Sequence, residues 1–125
     1  MVCVDSSVFI AVHRQPKDPL AMRLTELVSE REAALCGQVW VELVGGFRSE
    51  RRRRLVREGF EEYPWLDTTR KAYELAAEWV ATVRGIGAGD AIIAATAFVN
   101  NCPLFTVDQS FQALRSAGLK LFTPK

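Results

Sequence analysis

The chain has 125 residues, 49% of them apolar and 25% charged, the size and balance of one globular domain spanning residues 1–125, which excludes a disordered chain. With 16 basic and 15 acidic residues the net charge is +1, so overall charge alone names no class of partner. Cys3, Cys36 and Cys102 form no CxxC pair and His13 is the only histidine, which excludes the usual zinc sites and leaves the thiols as small buried hydrophobes.

No run approaches the roughly 18 apolar residues of a membrane helix. The start lacks the basic segment of a secretory signal, and Asp5 interrupts its apolar stretch. A cytoplasmic protein with no membrane contact is expected.

Val2 to Val4 reads as a buried strand, with Val8 to Val12 beginning a helix or turn behind it. Asp18 as N-cap and Pro19 at the first helical position start a helix, and Leu20, Leu24, Leu27 and Val28 form its apolar stripe to near Arg31. Ala33 to Cys36 is the second strand, with Gly37 as its turn. Val39 to Val44, if helical, reads as a buried segment carrying one carboxylate, Glu42, with Gly45-Gly46 expected to loosen or end the helix. Arg48 to Arg57 then holds six arginines and predicts a short basic helix stopping near Gly59.

Phe60 to Leu66 is a third strand, placed at an edge by Pro64. Asp67 is expected to cap the next helix, which has apolar positions Ala72, Leu75, Ala76, Trp79, Val80 and Val83. Asp90 opens a nearly all-apolar helix, Ala91 to Asn100. Leu104 to Thr106 is a fourth strand, Ser110 to Ala117 a short helix with Phe111 and Leu114 inward and Gly118 as its stop, and Leu119 to Phe122 a last strand. Alternating strands and helices predict an α/β fold, a parallel sheet with helices on both faces and all strand C-termini on one edge.

Asp5, Glu42, Asp90 and Asp108 each interrupt or open an apolar segment. Singly, each has an ordinary explanation: Asp5 and Asp90 as helix caps, Asp108 as a turn former, Glu42 as an arginine's partner. Jointly, four carboxylates in one cleft repel and need a cation. An all-oxygen donor set suits Mg²⁺ or Mn²⁺.

At these residues the sequence resembles the PIN-domain family, especially the VapC-type toxins of toxin–antitoxin pairs. The resemblance is carried by Val4-Asp5-Ser6-Ser7-Val8-Phe9-Ile10, Val41-Glu42-Leu43-Val44-Gly45, Gly89-Asp90-Ala91-Ile92-Ile93-Ala94-Ala95-Thr96-Ala97 and Thr106-Val107-Asp108-Gln109-Ser110-Phe111. It implies a three-layer α/β/α sandwich with sheet order 3-2-1-4-5, usually a homodimer. It also implies a Mg²⁺- or Mn²⁺-dependent endoribonuclease, the toxin of a pair neutralised by a VapB-like antitoxin.

Asp5, Glu42, Asp90 and Asp108 fall on the family's acidic positions. Asp5, Asp90 and Asp108 are the expected metal ligands, and Glu42 is a ligand or a base orienting water. Ser7 and Thr106 fall on positions suited to hold a carboxylate or metal-bound water. Many relatives carry a further acid where this chain has Ser110, so one metal is expected and a second is left open. Arg51, Arg52, Arg53 and Arg54 are either a solvated helix face, an RNA-phosphate contact, or part of an antitoxin-holding surface.

Three alternatives differ in kind. One is a PIN nuclease of RNA processing that is no toxin. Another is a phosphatase of the haloacid-dehalogenase type with Asp5 as nucleophile, which would want an aspartate where Ser7 stands. The last is a PIN fold that binds RNA or a partner without catalysis.

Overall fold

The structure is a computed structural model, and it describes residues 1–124. In chain order the elements are β1 (Val2–Val4), α1 (Ser6–Arg14), α2 (Pro19–Ser29), β2 (Ala33–Cys36), α3 (Gly37–Gly45), α4 (Glu50–Phe60), β3 (Trp65–Leu66), α5 (Arg70–Thr82), α6 (Ala88–Val99), β4 (Leu104–Phe105) and a 3-10 helix (Gln109–Ala117). All strand pairs are parallel, in the order β3-β2-β1-β4. The expected fifth strand is reduced to one parallel bridge, Leu121 with Leu104. Its Leu104 N–H to Lys120 and Phe122 N–H to Leu104 bonds use the edge of β4 turned away from β1, so the 3-2-1-4-5 order persists in outline.

Strand alternation divides the core into two layers. Cys3, Ala34 and Leu104 face a cluster with Ala72, Ala76 and Trp79 of α5, Ala91 to Ala97 of α6, and Phe111 and Leu114. Val2, Val4, Ala33 and Phe105 face the opposite cluster, with Val8, Leu24 and Leu27 from α1 and α2. The result is helices on both faces of a parallel sheet, an α/β/α sandwich. Local signals at two places set helix ends. Asp18 accepts from the Leu20 N–H at 2.8 Å with Pro19 at the first helical position, and Gly118 stops the 3-10 helix in the left-handed region at φ 108°.

Several expectations are corrected. The basic helix runs on through Gly59 to Phe60, because Val56 and Phe60 give it an inward stripe, and the third strand shrinks from Phe60–Leu66 to Trp65–Leu66. Gly37 is the first residue of α3, not a turn before it. Within α3, Val41 is 59% exposed, so this helix is not buried on every side. Thr69, not Asp67, caps α5, accepting from the Ala72 N–H at 3.3 Å. α6 begins at Ala88 with Gly87 as N-cap, which puts Asp90 inside the first turn.

Candidate active site

Because every strand is parallel, β1, β2 and β4 end on one edge, and the helices that follow or precede them begin there. Asp5 occupies the N-cap position of α1 but makes no capping bond. Its side chain turns instead into the protein, where the residue is only 3% exposed. One of its oxygens, Oδ2, accepts from Ser7 Oγ at 2.7 Å and from Thr106 Oγ1 at 2.8 Å. Both hydroxyl protons are thereby used, so the 3.1 Å approach of Ser7 to Thr106 adds no third bond. Those hydroxyls in turn accept from the Val107 and Asp108 N–H groups at 3.1 and 3.0 Å. The network ties β1, α1 and the turn after β4 together and leaves Asp5 Oδ1 unused by these bonds.

Among the described residues Glu42 pairs with no arginine. Its Oε1 accepts from Ser6 Oγ at 2.8 Å and its Oε2 from Gln38 Nε2 at 3.1 Å. Asp108 caps the 3-10 helix, accepting from the Ser110 N–H at 2.9 Å, and is exposed. Its turn-forming reading therefore holds, and it still lies on the same edge.

Burial raises the pKa of Asp5, with Glu42 adding to the rise and the Ser7 and Thr106 hydroxyls opposing it. Burial also raises Asp90, and the nearby charges of Asp5, Asp108 and Glu42 push it further, to about 6. The Ser110 hydroxyl, buried and short of full hydrogen-bond contact with any group, lies near enough to pull Asp90 the other way. Asp5, Asp90 and Asp108 all stand at helix N-termini, whose partial positive charge offsets part of the mutual repulsion. Among the described residues no arginine or lysine forms an ion pair with any of the four acids.

Asp90 therefore lies within reach of the charges of the other three acids, and Asp5 within reach of that of Glu42. The four do not form a closed cage: among the described residues no three His, Cys, Asp or Glu side chains converge tightly enough to hold an ion by themselves. The donor set nonetheless fits Mg²⁺ or Mn²⁺, which take oxygen ligands and keep several waters beside one or two carboxylates.

The family model for the PIN domain matches residues 2–116. The chain belongs to the PIN-domain family. Its fold is that of VapC-type toxins. A toxin–antitoxin complex from Klebsiella pneumoniae superposes with a TM-score of 0.78 at 18% identity, covering 100% of this chain and 98% of that one. VapBC-1 from nontypeable Haemophilus influenzae gives 0.78 at 20%, with 98% and 97% covered. The sarcin–ricin-loop-cleaving toxin VapC20 of Mycobacterium tuberculosis gives 0.71 at 17%, with 99% and 100% covered. No curated protein matches the chain.

In this PIN domain, Ser7 and Thr106 meet Asp5 as the sequence leads one to expect. Ser6 and Gln38 are not anticipated. Neither polar residue stands out from any helix surface, and only the fold reveals that both reach Glu42. The arginines divide. Arg53 donates to the Phe47 and Arg48 carbonyls at 2.8 and 2.6 Å and so secures the loop before α4. Arg51, Arg52 and Arg54 are exposed. Beside Glu42 lies an apolar groove of about 450 Å³, lined by Phe9, Ile10, His13, Arg14, Phe47 and Phe60 among others.

Proposed function

We propose that this PIN domain is a Mg²⁺- or Mn²⁺-dependent endoribonuclease, the toxin of a toxin–antitoxin pair. The observation that carries the reading is the charge coupling at the strand ends: a half-buried Asp90 lifted to about 6 by burial and three other acids, with no basic side chain among the described residues paired to any of them. Such a cluster is a standing cost unless a cation occupies it. Asp5, Asp90 and Asp108 would hold that cation directly or through water. A bound divalent ion lowers the pKa of a water ligand and stabilises charge on a phosphodiester.

The chain's own residues do the rest. Ser7 and Thr106 fix Asp5 through Oδ2, which leaves Oδ1 as its ligand atom. Glu42, held through both oxygens, keeps lone pairs for a ligand role or for orienting the attacking water. The exposed Arg51, Arg52 and Arg54 supply phosphate contacts for RNA. The VapBC complexes among the similar structures support a VapB-like antitoxin as partner. The groove beside Glu42 suits an apolar segment of such a partner, which would cover the site. An exposed apolar face that includes Val41, Trp65 and Tyr73 supports a homodimer.

Two experiments test this reading. Cleavage of a structured RNA should require Mg²⁺ or Mn²⁺ and stop in EDTA; cleavage that persists in EDTA refutes it. Coexpression of a VapB-like antitoxin should restore growth arrested by the chain, and growth unaffected by the chain alone would favour a PIN nuclease of RNA processing.

A further inference from the structure

Glu42 is enclosed from three sides. Ser6, at the start of α1, holds Oε1, and Gln38, one turn earlier on α3, holds Oε2. The third side is the first turn of α6. A Cβ placed on Gly89 would stand 3.0 Å from Gln38 Nε2 and 3.2 Å from Glu42 Oε2, closer than ordinary van der Waals contact. The Gly89 backbone is not in the left-handed region, so the main chain itself does not demand glycine there. An alanine would even favour the helix. What an added Cβ would meet is the ends of two side chains from α3, and these would have to give way by a few tenths of an ångström, shifting the Glu42 carboxylate.

We propose that Ser6, Gln38 and Gly89 are positioning residues that clamp the Glu42 carboxylate toward Asp5 and Asp90. Through it they set the affinity of the site for its divalent cation. The proposal rests on the cation-dependent nuclease reading. A glutamate on a half-exposed helix has several rotatable bonds and, beside the 59% exposed Val41, an open path to solvent. Two donors and a flat glycine wall remove that freedom before the cation arrives, so its ordering cost is not charged against binding. Supporting groups of this kind typically change metal affinity or activity by about 10- to 100-fold when removed.

The test is Mn²⁺ titration by calorimetry, paired with thermal unfolding without metal, on the full chain. Gly89→Ala and Gln38→Leu should each weaken Mn²⁺ binding about tenfold or more. Gly89→Ala should unfold no earlier than wild type, which separates positioning from a folding role. Ser6→Ala should weaken Mn²⁺ binding, and Ser6→Thr, which keeps the hydroxyl, should restore it. For RNA cleavage kcat should fall while KM stays within about twofold, since the clamp acts through the cation site rather than through substrate binding. Wild-type Mn²⁺ affinity in both Gly89→Ala and Gln38→Leu would overturn the clamp while leaving the nuclease reading intact. An early-unfolding Gly89→Ala would also overturn it, as a packing role. No Mn²⁺ binding by wild type would overturn the nuclease reading and the clamp with it.

Discussion

Replacing Asp90 by asparagine should stabilise the metal-free protein while destroying the site. Asp90 is lifted from an ordinary 3.8 to about 6, roughly two units, or about 3 kcal/mol if taken at face value. Asp90 is only half-buried, and solvent screening reduces that to about 1 kcal/mol. The sign follows from linkage. A carboxyl whose folded pKa lies above its unfolded one holds its proton more tightly in the native state. Its contribution to stability is present in full below about pH 4 and is lost as pH rises through about 6. Asp90→Asn removes that loss, so near neutral pH the variant should melt about 3–5 °C above wild type without metal. The gain should shrink toward zero at about pH 4.5. Thermal unfolding across this range reads it directly. Adding Mn²⁺ should reverse the ranking, because only the wild type gains stability from binding. A variant that melts lower near neutral pH without metal, or a gain that does not shrink in acid, would refute the idea that the acids strain one another.

Removing the hydroxyls that hold Asp5, by Ser7→Ala or Thr106→Ala, should cut cleavage about 10- to 100-fold. Both bonds oppose the rise in the Asp5 pKa, so the acid limb of the pH–rate profile should move to higher pH. Thr106→Ser should leave it in place. Among the arginines, replacing Arg51, Arg52 or Arg54 should lower the salt slope of RNA binding, by about 0.7 for each single-strand phosphate that is no longer neutralised. Filter binding across a salt series measures it. Arg53→Ala should instead lower stability by about 1–2 kcal/mol in denaturant unfolding, since it frees the carbonyls of Phe47 and Arg48.

How much of the fold and site is legible in the sequence follows from the range of the interactions involved. The start of α2 is legible because Asp18 and Pro19 act within one turn. The two faces of the sheet are legible because Cys3 against Val2 and Val4 follows strand alternation. The four acids stand out because each breaks an apolar run. The start of α6 is not legible, since Asp90 resembles a cap while Gly87 fills that position without a side chain. The third strand looks longer in the sequence than it is because Phe60 and Tyr63 are core aromatics, stacked edge-on at 5.1 Å, whose burial comes from a helix end and a turn rather than a strand. Ser6 and Gln38 leave no signal at all. Their partner is 36 residues away in one case and on a shared helix in the other, and only the packing of α1 and α6 against α3 gives them meaning.

Asp5 and its neighbours, in the proposed function, hold a divalent cation that makes this chain cut RNA. The most direct test incubates wild type and Asp5→Asn with a structured RNA hairpin, in Mn²⁺ and in EDTA, and follows the fragments. Cleavage is expected only by wild type and only with Mn²⁺. Equal cleavage by Asp5→Asn, or cleavage in EDTA, would contradict the proposed function.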